Sequence, residues 1–161
     1  MITSFKGKYA FLDLSAHCTV EYEGVLYNSA EIAFIASQYD NLYLRAQFNS
    51  AALPIYKARE LAKRLQKRGD LTPKLALELM QEVVFDKFTR NPHFGELLVA
   101  TGPQRIVAEN NWHEQFWGRC VCNIRPGKYG KKPSCIEPGY NHIGKIHMLV
   151  RDRLAVVTLA A

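Results

Sequence analysis

Carboxylates set beside flat aromatic rings can do acid–base chemistry on a sugar or a base, and the stretch ENNWHEQFWG at 109–118 concentrates both. It holds both tryptophans of the chain, Trp112 and Trp117, together with Glu109, Glu114, His113 and two adjacent asparagines. A short strand over 104–109 would deliver this cluster at its far end, and Gly118 closes it, which is the layout of a pocket wall. Two tryptophans serving only a core would read the same way, so the local residues leave both readings open. A second carboxylate, Glu31, follows Ser29, a residue type that caps helix N-termini. In a first helical turn it is stabilised by the macrodipole and need do nothing more.

Cysteine and histidine supply the other candidate chemistry. Cys120, Cys122 and Cys135 lie near His113, His142 and His147 in sequence. Structural zinc sites carry paired C-x2–4-C spacings, whereas this chain has one C-x-C and no second pair, so no metal is expected. Without a leader of the secretory type, the four cysteines are expected to be thiols in a soluble, cytoplasmic protein. No apolar stretch approaches the roughly 20 residues a membrane span needs.

The net charge of +6 and a pI near 9.2 suit anionic partners such as phosphate, nucleotide or nucleic acid. The basic residues gather in two places. One is the segment after Pro54, with Lys57, Arg59, Lys63, Arg64, Lys67 and Arg68 against Glu60 alone; the other, Arg119 to Cys135, has five basic residues and no acidic one. Solvated helix faces produce the same runs. Aromatics do not interleave with the charges, and no helix-turn-helix or zinc-finger pattern is present, which argues against direct reading of DNA.

The elements that would position these residues follow from local signals. Val20 and Tyr22 alternate with polar neighbours and Glu23-Gly24 turns a small hairpin. Ser29 starts a helix bearing Ile32, Phe34, Ile35 and Ala36. A short helix is expected over 41–48, and a longer one over PIYKARELAKRLQKRG from Pro54. Thr72-Pro73 starts a helix whose Leu77, Met80, Val84 and Phe88 repeat at helical spacing. It ends at Asn91-Pro92, and another helix runs on to Thr101-Gly102. The Gly/Pro-rich stretch 119–138 reads as a long loop insertion, and HIGKIHMLVRDRLAVVTL as a closing amphipathic helix with Ile143, Ile146, Leu149, Val150 and Leu154 inward. The expectation is one helix-rich α+β domain over 1–161 with a few short strands.

In order along the chain, five segments resemble the NADAR superfamily of YbiA-like proteins. FKGKYAFL at 5–12 resembles the family's "F..eyaFLSNF", and VEYEGVLYNSAEIAF at 20–34 its "v.ydG..yps.E.aFqa.K". MQEVVFDKFTRNPHFGELLVATG at 80–102 resembles "M..vv..KF.qnp.l...Ll.TG". ENNWHEQFWG resembles "E.n.w.D.fWG", and GYNHIGKIHMLVR at 139–151 resembles "G.N.LGkiLM.vR". The resemblance implies a YbiA-like α+β fold, no metal or organic cofactor, and cleavage of an N-glycosidic bond. The implied partner is a small phosphorylated riboside of the riboflavin-pathway type, or nucleic acid carrying ADP-ribose on a base.

Residue by residue, the resemblance makes Glu31 and Glu114 the catalytic carboxylates, Glu114 standing where the family usually has aspartate. Glu114 would activate water or stabilise charge, and Glu31 would be acid or sugar-orienting, with the roles open to exchange. Trp117, Gly118 and Asn141 would contact the substrate, and Arg59, Lys63 and Arg68 would meet its phosphate. The chain departs from the pattern at Asp13-Leu14-Ser15 (family SNF), at Ile32 (often His), at Ile35 (Gln) and at Gln38 (Lys). These departures leave the substrate open and set beside the enzyme an alternative, a catalytically impaired module that binds ADP-ribose or a nucleotide.

Overall fold

The computed structural model describes residues 1–123 and 135–159, with side chains of the last helix described through Val156. Most of the loop expected over 119–138 lies at 124–134, outside the described residues. The fold is α+β and helix-rich, with strands of two or three residues. Two compact units divide the chain: residues 11–97, and residues 1–10 with 98–161.

In the unit 11–97, strands β1 (Val20–Tyr22) and β2 (Val25–Tyr27) pair antiparallel with Val20 opposite Tyr27. Glu23 and Gly24 both have positive φ (46° and 79°), the geometry of the tight turn whose twist matches a hairpin. Helix α1 (Ala30–Ser37) starts at Ser29, whose hydroxyl accepts the Ile32 N–H at 3.2 Å. Asn41 caps the short helix α2 (Leu42–Ala46) in the same manner, accepting from Tyr43.

Helix α3 (Ile55–Arg64) is shorter than expected. Leu65 is already extended (φ −104°, ψ 143°), so Lys67 and Arg68 lie beyond the helix. Helix α3 buries Ala58 against neighbours that include α1, and turns its charged side chains to solvent. Helix α4 (Pro73–Arg90) begins at the Thr72 cap with Pro73 in its first turn, where a missing N–H costs nothing. Met80, Val83, Val84 and Phe88 are buried, while Leu77 is half-buried, and the helix packs on β1 and α1. Each such side chain, fully buried, contributes about 1.5–3 kcal/mol.

Lys87 shares this buried face. It is 0% exposed, its Nζ donates to the Asp13 carbonyl at 2.6 Å, and it lies over the rings of Phe88 and Phe94. Helix α5 (Pro92–Val99) follows after Asn91, whose amide donates to the carbonyls of Thr19 and Lys87.

In the other unit, the strand expected over 104–109 is reduced to a parallel bridge between Ile2 and Ile106 and to β3 (Glu109–Asn110). β3 pairs in parallel with β4 (Arg119–Cys120). Helix α6 (His142–Leu159) runs over the residues expected. It buries Ile143, Ile146 and Val150 with Ile106 and Val107, while Leu149 is 40% exposed. Arg151 ties this helix back, its Nη1 donating to the Gln104 carbonyl at 2.7 Å and to the Thr101 hydroxyl at 3.2 Å.

Burial drops the Lys87 ammonium from its ordinary 10.5 to about 8, with Cys18 and Asp13 opposing the shift. The folded state therefore holds fewer protons than the unfolded chain between about pH 8 and 10.5, and this group's contribution to stability rises with pH across that window. The cost of the buried charge is fully present below pH 8. Cys18, whose thiol burial pushes up, titrates in the opposite sense in the same region, so the comparison must be between variants. Urea unfolding from pH 7 to 10.5 should show the difference between wild type and Lys87→Met changing with pH on the order of 3 kcal/mol. A pH-independent difference would refute this account of Lys87.

Candidate functional site

In the unit 11–97, Glu31 sits in the first turn of α1, and its backbone N–H donates to the Leu14 carbonyl at 2.9 Å. Its side chain is 18% exposed and accepts from Arg59 Nε at 2.6 Å. Arg59 reaches across from α3, 60% exposed. The bond to Glu31, aided by the charge of Asp13, raises the guanidinium above its ordinary value. No partner among the described residues engages the second oxygen of Glu31.

Lys63 is exposed on α3. Arg68 is not a helix residue: its N–H donates to the Gln38 carbonyl, and its guanidinium grips Asp70 at both oxygens, at 2.6 and 2.9 Å. The expected set of three helix-borne cations is thus reduced to two, because α3 stops before Arg68. Gln38, where the family has lysine, is 8% exposed and donates to the Phe34 carbonyl. Asp13 and Ser15, at the family's asparagine segment, bond to each other.

In the other unit, the sequence 110–118 folds on its own side chains. Asn110 Oδ1 accepts the N–H groups of Trp112 and Glu114, and its amide donates to the Glu114 carbonyl at 2.7 Å. Glu114 then turns its carboxylate onto the backbone ahead. Oε1 accepts from Phe116 and Trp117, both at 2.9 Å, and Oε2 accepts from Gly118 at 2.5 Å. The carboxylate expected to activate water is therefore held by three N–H groups of its own turn.

Asn141 is likewise committed. It is 6% exposed with φ 54°, its Oδ1 accepts from Ala108 N–H at 2.8 Å, and its amide donates to the Ile106 carbonyl at 3.0 Å. Its own N–H donates to the Gly118 carbonyl, and Ile143 N–H to the Trp117 carbonyl. The glycines permit this closeness. A Cβ on Gly144 would meet the Ile106 carbonyl and the Asn141 amide inside 3.0 Å, and one on Gly118 would stand 2.6 Å from the Ala108 carbonyl. The Gly-x-Asn-x-x-Gly and Trp-Gly motifs thus join the segment 106–110 to the start of α6. Asn141, expected to contact a substrate hydroxyl, uses one bond at each end of its amide for this clamp.

Trp117 is half-buried against Phe116, edge to face at 4.8 Å between ring centres. His142 lies 4.8 Å from the Phe116 ring and stacks on the exposed Tyr140 at 5.5 Å and 16°. Burial, then Lys145, lower the His142 pKa, with Glu114 opposing. This aromatic group was not legible in sequence, because the segments 115–118 and 139–143 are distant in the chain and are brought together by the fold. Of the cysteines and histidines that lie near one another in sequence, His113, Cys120, Cys122 and Cys135 bring their donor atoms within 4.8 Å of one another, which their spacing did not lead us to expect.

The fold is that of YbiA of E. coli, whose NMR structure superimposes with a TM-score of 0.74 at 22% identity, covering 99% of this chain and 86% of that one. A model of the NADAR domain matches residues 4–155, and the chain belongs to that family. An N-glycosidase of Nostoc punctiforme is 32% identical over 77 residues, 48% of this chain and 40% of that protein's length. No helix among the described residues is long and apolar enough to cross a membrane.

Two substitutions separate holding from chemistry. Glu114→Gln turns an acceptor oxygen into a donor facing backbone N–H groups and should cost about 1–3 kcal/mol in urea unfolding. Glu31→Gln weakens only a half-solvated pair and should change stability by less than about 1 kcal/mol. Equal losses would contradict the distinction.

Proposed function

We propose that the protein hydrolyses an N-glycosidic bond of a phosphorylated riboside or of an ADP-ribosyl group on a nucleobase. Membership of the NADAR family and the partial likeness to an N-glycosidase support the class of reaction. The observation that carries the assignment of residues is Glu31, a half-buried carboxylate with one oxygen fixed by Arg59 and the other open.

In this reaction the bond from the anomeric carbon to nitrogen breaks and its electron pair leaves with the base. The ribosyl centre gathers positive charge, water adds to it and loses a proton, and the departing nitrogen gains one from solvent or a neighbouring acid. Paired with a guanidinium, Glu31 suits the negative role, supporting that charge or drawing the proton from water, and is poorly suited to protonating the leaving group. Arg59 fixes its orientation. Lys63, exposed on the same helix as Arg59, is assigned to substrate phosphate; for Trp117, packing against the ribose or base is what the family resemblance implies. Glu114, Gly118 and Asn141 are assigned the holding of the Trp117 turn. Arg68, bound to Asp70, is the weaker candidate for phosphate.

A second reading draws on the positions where Asp13, Ile35 and Gln38 replace the family's residues: a module that binds ADP-ribose or a nucleotide without cleaving it. One pair of assays separates the two. An amino-pyrimidine riboside phosphate and DNA bearing ADP-ribosylated guanine are incubated with wild type, Glu31→Gln and Lys63→Ala. Glu31→Gln should lower kcat by about 10²–10⁴-fold, and Lys63→Ala should raise KM with little change in kcat. Full activity in Glu31→Gln sinks the assignment. Binding of ADP-ribose with no turnover of either substrate establishes the second reading instead.

A further inference from the structure

The C-x-C of Cys120 and Cys122 lacks a partner pair in sequence, but the fold supplies one in space. Strand β4 presents Cys120 and leads to Cys122; the Asn110-centred turn after β3 presents His113; and the chain returns with Cys135. All three cysteines are buried, at 5%, 0% and 7% exposure, and they form an apolar-sided cluster of their own. Every cysteine of the chain carries a thiol rather than a disulfide.

We propose that His113, Cys120, Cys122 and Cys135 bind one zinc ion as a closed structural site. Zinc takes sulfur at about 2.3 Å and nitrogen at about 2.0–2.1 Å in a tetrahedron, so ligand atoms around it stand about 3.5–3.8 Å apart. The four donor atoms here lie within 4.8 Å of one another, and His113 Nδ1 is 3.3 Å from Cys135 Sγ. Small rotations of the side chains close the remainder. Three sulfurs and an imidazole form a soft set that suits zinc over calcium or magnesium, and four protein ligands leave no open position for catalysis.

Two further observations fit a held ion. His113 has φ 71°, a left-handed conformation that a non-glycine residue keeps only when its surroundings compensate, and from it the ring meets the Cys135 thiol. Asn123, next to Cys122, donates its side-chain amide to the Cys135 carbonyl, so the two arms that bring the cysteines are joined beside the cluster. A disulfide between any two of the sulfurs would leave the third cysteine and the histidine converged without purpose. On binding, the ion displaces the thiol protons to solvent, and the thiolates become its ligands.

The site does not depend on the glycosidase reading and is tested without an activity assay. Full-length protein purified under reducing conditions, without chelator, should contain about one zinc per chain by elemental analysis. Protein stripped by chelator in denaturant and refolded with Co(II) should show the intense visible bands of a tetrahedral thiolate site. Cys135→Ser and Cys122→Ser should lose the metal, while Cys18→Ser, outside the cluster, should keep it. His113→Cys should retain the ion with a shifted Co(II) spectrum, which a variant that merely misfolds would not give. Wild type that refolds fully with excess zinc and reductant yet holds none overturns the proposal. So does zinc retained undiminished in Cys122→Ser/Cys135→Ser, or a disulfide found within the cluster of freshly reduced protein.

Discussion

Backbone groups buried beside a strand edge need partners, and in the unit built from residues 1–10 and 98–161 the strand is too short to supply them. Side chains take over. The Asn141 amide satisfies the Ile106 carbonyl and the Ala108 N–H at once, doing what a neighbouring strand would have done. Its left-handed backbone places it at the start of α6, and Gly144 leaves room for the approach. The Glu114 carboxylate repeats the principle one turn away, with three N–H groups on one anion.

Polar residues that stand out in a motif thus divide by what their atoms already touch. Glu114 and Asn141 have their oxygens and nitrogens bonded to main chain, and Arg68 is engaged with Asp70. Lys87 is buried on the inner face of α4 and bonded to the Asp13 carbonyl. Glu31 and Arg59 differ, because their pairing leaves one carboxylate oxygen open and keeps most of the guanidinium in water. Fixed groups hold the fold, and the open pair is the one proposed above to act on a ligand.

Local chemistry was legible in the sequence and through-space chemistry was not. The Glu23-Gly24 turn, the Ser29 and Thr72 caps and the bounds of α6 each follow from a few adjacent residues, and each is found where expected. The end of α3 was misjudged because LQKR has good helix propensity, and the extended Leu65 that stops the helix carries no proline or glycine signal. Lys87 reads as solvent-facing by type, yet its neighbours in the apolar stripe draw it inside, where the Asp13 carbonyl meets it from far along the chain. The approach of His113 to Cys135 and the stacking of His142 on Tyr140 depend on turns whose geometry no spacing rule encodes.

The N–H groups of Phe116, Trp117 and Gly118 converge as in the backbone nests that cradle phosphate in other proteins. Here the nest is filled from within. A tethered carboxylate competes at an effective concentration of about millimolar or more, well placed to turn away the small anions that a chain of net charge +6 attracts. A phosphate approaching this turn would find its N–H groups already occupied.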